Sequence, residues 1–123
     1  MGKFCNTLVY VAGPYTRPDP QANTERAVKV GNDLMALGYA SIVPHLTHFW
    51  EQLHPQPYET WLAFDLVLLE RCNVILLLPG YSSGAEKEVV YAEQRGIPVV
   101  RAKSAETAAQ ELHEYLISIG VAA

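Results

Sequence analysis

At 123 residues, 50% hydrophobic and 18% charged, the chain is sized for one domain with a single core, 1–123. Its formal net charge of -4 argues against a nucleic-acid polymer as partner, because that work needs a basic surface, and leaves small ligands open. No apolar run approaches the roughly 20 residues that cross a bilayer, and the lead Met1-Gly2-Lys3-Phe4-Cys5 has no signal-peptide pattern, so a cytoplasmic protein that enters no membrane is expected.

Thr7-Leu8-Val9-Tyr10-Val11-Ala12 is a β-rich apolar run closed by Gly13-Pro14, the pattern of a central first strand. The loop beyond it, Gly13 to Pro20, begins with a residue that lets backbone approach a ligand closely, which makes Tyr15, Thr16 and Arg17 candidates to line a crevice or, for Arg17, a plain solvated turn. From about Ala22 to Leu37, Ala27, Val30, Leu34 and Leu37 recur at helical spacing until Gly38. Ala40-Ser41-Ile42-Val43 then gives a second strand, and strand, helix, strand makes a right-handed βαβ unit.

Pro44 to Pro57 is long for a connection and holds His45, His48, Phe49, Trp50 and His54. The rings suit a flat ligand such as a nucleobase, or they cover a sheet edge or subunit contact. The histidines lack a ligand pattern for zinc, and neither a metal nor a cofactor is expected. Cys5 and Cys72 make no disulfide framework and are expected as buried or half-buried thiols.

A helix from about Tyr58 to Arg71 carries Trp61, Leu62, Leu66 and Leu69 on a broad apolar face, bordered by Asp65; a carboxylate there is either paired or functional. Val74-Ile75-Leu76-Leu77-Leu78 is a buried strand, followed by Pro79 to Glu88 on a strand-to-helix turn and a helix through Arg95. Ala85, Val89 and Ala92 define that helix's core face, with Glu86 and Glu88 flanking it on opposite sides, and periodicity alone does not choose between them. Ile97-Pro98-Val99-Val100 is a fourth, edge-type strand. Ser104 is placed to cap a last helix with Ala108, Leu112, Tyr115, Leu116 and Ile119 inward until Gly120.

The alternation predicts an α/β three-layer sandwich, flavodoxin/Rossmann-like, with a four- or five-stranded parallel sheet in the order 2-1-3-4. Strands one and three then flank the switch point, so the loops after Ala12 and Leu78 meet where α/β proteins hold ligands.

Three motifs in this order carry a family resemblance: Val9-Tyr10-Val11-Ala12-Gly13-Pro14-Tyr15; Asp65 followed by Leu69 and Cys72-Asn73; and Ser82-x-Gly84-x-x-x-Glu88-x-x-x-Ala92. Together, over roughly Leu8 to Val100, the chain resembles the nucleoside 2-deoxyribosyltransferase superfamily, which includes the deoxynucleoside 5′-monophosphate N-glycosidases. The resemblance implies that Glu88, rather than Glu86, is the nucleophile that attacks the anomeric carbon. It implies that Asp65 handles the base or assists its departure, that Ser82 binds sugar or phosphate, and that Gly13, Tyr15, Thr16 and His45 stand at the pocket; Tyr10, Arg17, Phe49, Trp61 and Gly84 are further substrate-binding candidates. It also implies a homodimer acting on a nucleoside or nucleotide.

Many relatives have glycine where this chain has Glu86, which is expected to narrow the pocket or alter the phosphate site. A first-turn position on its helix would favour the ionised form of Glu88, and apolar surroundings would raise the pKa of Asp65. The expected activity is cleavage of an N-glycosidic bond by hydrolysis or by transfer to a second base. Two alternatives stand beside it. One is a lysine-decarboxylase-like nucleotide phosphoribohydrolase, whose P-G-G-x-G-T-x-x-E pattern is incomplete in Pro79 to Gly84; the other is a non-catalytic nucleotide-binding module.

Overall fold

A computed structural model describes residues 4–122; Met1, Gly2 and Lys3 of the N-terminal lead and the last residue of the expected 1–123 domain lie outside the described residues. The strands are β1 (Leu8–Ala12), β2 (Ala40–Ile42), β3 (Val74–Leu77) and β4 (Val99–Arg101), all parallel in the order β2-β1-β3-β4. The helices are α1 (Pro20–Ala36), α2 (His48–Leu53), α3 (Tyr58–Leu69), α4 (Ser83–Gln94) and α5 (Ala108–Ser118). The expected layering and strand order are therefore those of the molecule, with four strands among the described residues.

Strand alternation divides the core. Val9, Val11, Val74 and Leu76 point to the layer of α1 and α5, where Val30, Leu34, Leu112 and Leu116 bury them. Tyr10, Ala12, Ile75 and Leu77 point the other way, against Leu69 of α3 and Ala85, Val89 and Ala92 of α4. Because both faces of β1 and β3 are covered, the two strands need continuous apolar runs rather than alternation.

Helix ends explain most differences from the expected boundaries. α1 starts at Pro20, not near Ala22, because the Asp19 side chain accepts from the Gln21 amide at 3.2 Å and Pro20 suits the first helical position. Leu37 falls at the C-cap and is exposed rather than part of the buried stripe. β4 begins only at Val99, since Pro98 has no amide to add to the ladder, although its carbonyl accepts from the Ile75 amide at 3.0 Å. Ser104 does not cap α5: its hydroxyl accepts from the Thr107 amide at 3.2 Å within a preceding turn, and α5 opens at Ala108. Ile119 lies past the end of α5 and is exposed, so it is not a core residue; Cys72 is buried as expected, but Cys5, ahead of β1, is exposed rather than buried or half-buried.

The largest correction concerns Pro44 to Pro57. It is not an irregular loop: Pro44–Thr47 is a 3-10 turn that runs directly into α2. This piece folds over the β1 loop, where the Tyr15 hydroxyl meets His48 Nδ1 at 2.7 Å and the Tyr15 ring meets His45 and His48 edge-on.

The loops after β1 and β3 meet as expected. The Leu78 amide donates to the Ala12 carbonyl at 2.8 Å. A Cβ on Gly13 would stand 3.0 Å from Leu78 Cβ, and one on Gly80 would stand 2.9 Å from Pro14 Cγ at a φ of +107°. We expect Gly80→Ala to lose about 1–3 kcal/mol in urea unfolding, from a strained backbone plus the clash, and Gly13→Ala to lose a smaller amount in the same assay.

Candidate active site

A cavity of about 630 Å³ opens at this switch point. Its floor is the end of β1, one wall is the β1 loop from Gly13 to Arg17, a second is α3, and a third is the start of α4 from Ser82 to Glu88. His45, Thr47 and Glu51 come over the top from the turn and α2.

Glu88 is 7% exposed, and the Tyr10 hydroxyl donates to its Oε2. The pairing follows from the strand: Tyr10 shares the sheet face of Ala12 and lies beneath α4, so its phenol reaches the helix while its ring stays in the core. Tyr10 therefore does not line the cavity; it holds Glu88 from behind. Asp65 lines the cavity from α3, and its Oδ1 is buried without a hydrogen-bond partner among the described residues.

Burial pushes both carboxyls up to about 7. For Asp65 desolvation is the cause; for Glu88 desolvation comes first, the Tyr10 hydrogen bond opposes it and the charge of Asp65 adds to it. Tyr10 is itself raised, first by burial and then by the charges of Glu88 and Asp65, so it remains a donor at neutral pH. The expectation that a helix start would keep Glu88 ionised is overturned. Glu86 occupies the first turn of α4 while Glu88 stands beyond it, where desolvation outweighs the helix field.

The β1-loop candidates Gly13, Tyr15, Thr16 and Arg17 line the cavity, as do His45, Trp61, Ser82 and Gly84. The His45 Nε2 stands 3.0 Å from the Pro14 carbonyl, which can only accept, so Nε2 carries the proton and Nδ1 is a buried nitrogen with no hydrogen-bond partner among the described residues. Burial also holds this imidazole below its ordinary pKa, against the raising effect of its backbone hydrogen bonds. Ser82 caps α4 by accepting from the Ala85 amide at 3.2 Å, which leaves its O–H free to donate.

Two expectations fail here. Phe49 is 66% exposed and lies outside the cavity, because α2 turns its side chain to the outer surface. Glu86 also points away, with Oε1 3.9 Å from Arg101 Nη1, so it neither narrows the cavity nor touches an anion within it. Conversely, Glu51, Gln56, Tyr58 and Leu62 line the cavity without having been singled out. The signal for Glu51 was present in the crowded Pro44–Pro57 stretch, where rings and histidines drew the weight; its orientation depends on α2, which no periodicity in that stretch declares.

Fold and site together define an α/β protein with a cavity at a parallel-sheet switch point. The chain belongs to the family described as "Domain of unknown function (DUF7768)", whose model matches residues 7–102, a range that holds all four strands and every residue around the cavity. No curated protein and no solved structure matches the chain.

The raised pKa values have a consequence for stability. The folded state keeps protons that the unfolded chain gives up, so this contribution is full below about pH 4 and is lost as pH rises through about 7. Asp65→Asn cannot ionise. At pH 8 we expect it to be more stable than the parent by on the order of 1–2 kcal/mol, a figure discounted for partial water access, with the gap closing by pH 5 in chemical denaturation.

Proposed function

We propose that the protein cleaves the N-glycosidic bond of a nucleoside or nucleoside 5′-monophosphate through a glycosyl ester on Glu88. The observation that carries this reading is the presence of two carboxyls, buried Glu88 and half-buried Asp65, in one cavity with a single hydrogen-bond donor among the described residues, Tyr10, on Glu88 alone. That asymmetry favours the anion on Glu88 and the proton on Asp65, which is the division of labour the reaction needs. It agrees with the roles implied by the resemblance to the nucleoside 2-deoxyribosyltransferase superfamily.

In the first half-reaction the Glu88 carboxylate attacks the anomeric carbon as the bond to the base nitrogen breaks, and Asp65 gives its proton to the departing base. Positive charge developing on the sugar ring is stabilised by the carboxylate beneath it. In the second, Asp65, now ionised, takes a proton from water or from an incoming base, whose oxygen or nitrogen attacks the same carbon and releases Glu88. Water makes the protein a hydrolase, and a base makes it a transferase.

A cationic flank supports a phosphorylated substrate. Arg17 lines the main cavity and also an adjoining hollow of about 520 Å³ that holds Arg26. The free hydroxyl of Ser82 supplies a further donor on the α4 side. The homodimer implied by the resemblance has a surface suited to it: Leu46, Phe49, Trp50 and Val67 form an exposed apolar face on the turn, α2 and α3.

Incubation with a panel of ribo- and deoxynucleosides and their 5′-monophosphates, with and without a free acceptor base, tests the reading by chromatography of the released base. Glu88→Gln should reduce release by about 10³-fold or more, and Asp65→Asn by about 10²–10⁴-fold. The rate should follow a bell in pH with limbs on either side of about 7, rising as Glu88 ionises and falling as Asp65 does. Tyr10→Phe removes the hydrogen bond that favours ionised Glu88 and should move the rising limb to higher pH. Release from no substrate, or full activity in Glu88→Gln, contradicts the proposal.

A further inference from the structure

Glu51 is a cavity residue that the cleavage chemistry does not use. Its Oε1 accepts two hydrogen bonds, from Trp61 Nε1 at 2.6 Å and from the Gln56 amide at 2.8 Å. These two donors anchor the carboxylate between α2 and the start of α3, and they hold it below the ordinary carboxylate range, so it is ionised at neutral pH. Its second oxygen, Oε2, receives no hydrogen bond from the protein among the described residues. The cavity thus contains a fixed anion with one oxygen tied to the protein and one left to a ligand.

Its place relative to the chemistry follows from α3. Trp61 and Asp65 are four residues apart and both line the cavity, so they stack on one helix face about 6 Å apart along the axis. Glu51 is hydrogen-bonded to Trp61 and lines the same cavity as Asp65. A base departing from the sugar at Asp65 extends along the Trp61 indole toward Glu51. An anionic oxygen there accepts from an amino group and repels a carbonyl oxygen.

We propose that Glu51 selects the leaving base, favouring those that carry an exocyclic amine over the matching bases with a carbonyl at the same position. This rests on the glycosidase reading for the direction in which the base lies, and on the hydrogen bonds of Glu51 for the choice between amine and carbonyl. Arg17 and Ser82, on the other walls, have no counterpart to this acceptor; they offer donors to the sugar or phosphate end.

Two substrate pairs exchange the amine for a carbonyl, and with it the adjacent ring nitrogen from acceptor to N–H donor: 2′-deoxycytidine against 2′-deoxyuridine 5′-monophosphate, and 2′-deoxyadenosine against 2′-deoxyinosine 5′-monophosphate. The parent protein should favour the amino member of at least one pair by about tenfold or more in kcat/KM. Glu51→Gln keeps the acceptor for Trp61 and Gln56 and replaces the free oxygen with an N–H₂ donor, so the preference should flatten or invert while base release still depends on Glu88. The same pairs are titrated calorimetrically into Glu88→Gln and into the Glu88→Gln, Glu51→Gln double variant, where affinity reports selection without turnover.

Base release that depends on Glu88 but is indifferent to the amine, or an amine preference unchanged by Glu51→Gln, overturns the role of Glu51 and leaves the glycosidase reading standing. No base release combined with an amine preference in affinity that the double variant loses supports Glu51 and overturns the glycosidase reading instead. No release and no difference in affinity overturns both.

Discussion

The hydrogen bond from the Tyr10 hydroxyl to Glu88 is the contact on which the site depends. It crosses from the central strand to the helix that begins beyond the switch point, and it exists because strand alternation points Tyr10 toward α4 while both β1 neighbours fix its register, Ile42 on one side and Ile75 on the other. A carboxyl 7% exposed would otherwise take up a proton. One donor offsets part of that desolvation and does so for Glu88 only, since Asp65 Oδ1 has no partner among the described residues. Two carboxyls of the same chemistry are distinguished by a single phenol.

That arrangement carries a stability penalty. Desolvation raises both acids, and at neutral pH the folded state carries charge where an apolar core would be more stable. The rest of the layer compensates with close packing: Leu69, Ile75, Val89 and Ala92 are buried around the pair. Cys72 of the same layer shows the same low polarity, since burial raises its thiol to about 12. On the outer surface, Glu70 ties α3 to α4 through the Tyr91 hydroxyl and Arg95 Nε, and this brace sits on the two helices that carry Asp65 and Glu88. Positioning thus comes from the sheet beneath and from the helix pair above.

Much of this was legible in the sequence because the strongest signals coincide with the site. Continuous apolar runs at Val9–Ala12 and Val74–Leu78 identify central parallel strands, and in an α/β order they place the Gly13 and Pro79 loops side by side. Asp65 declared itself as a carboxylate bordering an apolar stripe. The choice between Glu86 and Glu88 was not legible from periodicity, since both flank the core face; tertiary packing decides it by giving Glu88 to Tyr10 and Glu86 to Arg101. Phe49 lost its expected place in the cavity, and Glu51, which had not been singled out, took one, because part of the Pro44–Pro57 segment forms α2. One turn of helix turns the aromatic ring outward and the carboxylate inward.

The account's central claim is that Glu88 and Asp65 share one proton near neutrality, with Glu88 the ionised partner. Carbon-13 NMR of the side-chain carboxyls, assigned with Glu88→Gln and Asp65→Asn and followed from pH 4 to pH 9, tests it directly. The account predicts two carboxyl resonances that titrate in coupled steps around pH 7, with Glu88 losing its proton first because Tyr10 donates to it while Asp65 Oδ1 has no partner among the described residues. Ordinary titration of both groups near pH 4, or loss of the Asp65 proton before that of Glu88, would contradict it.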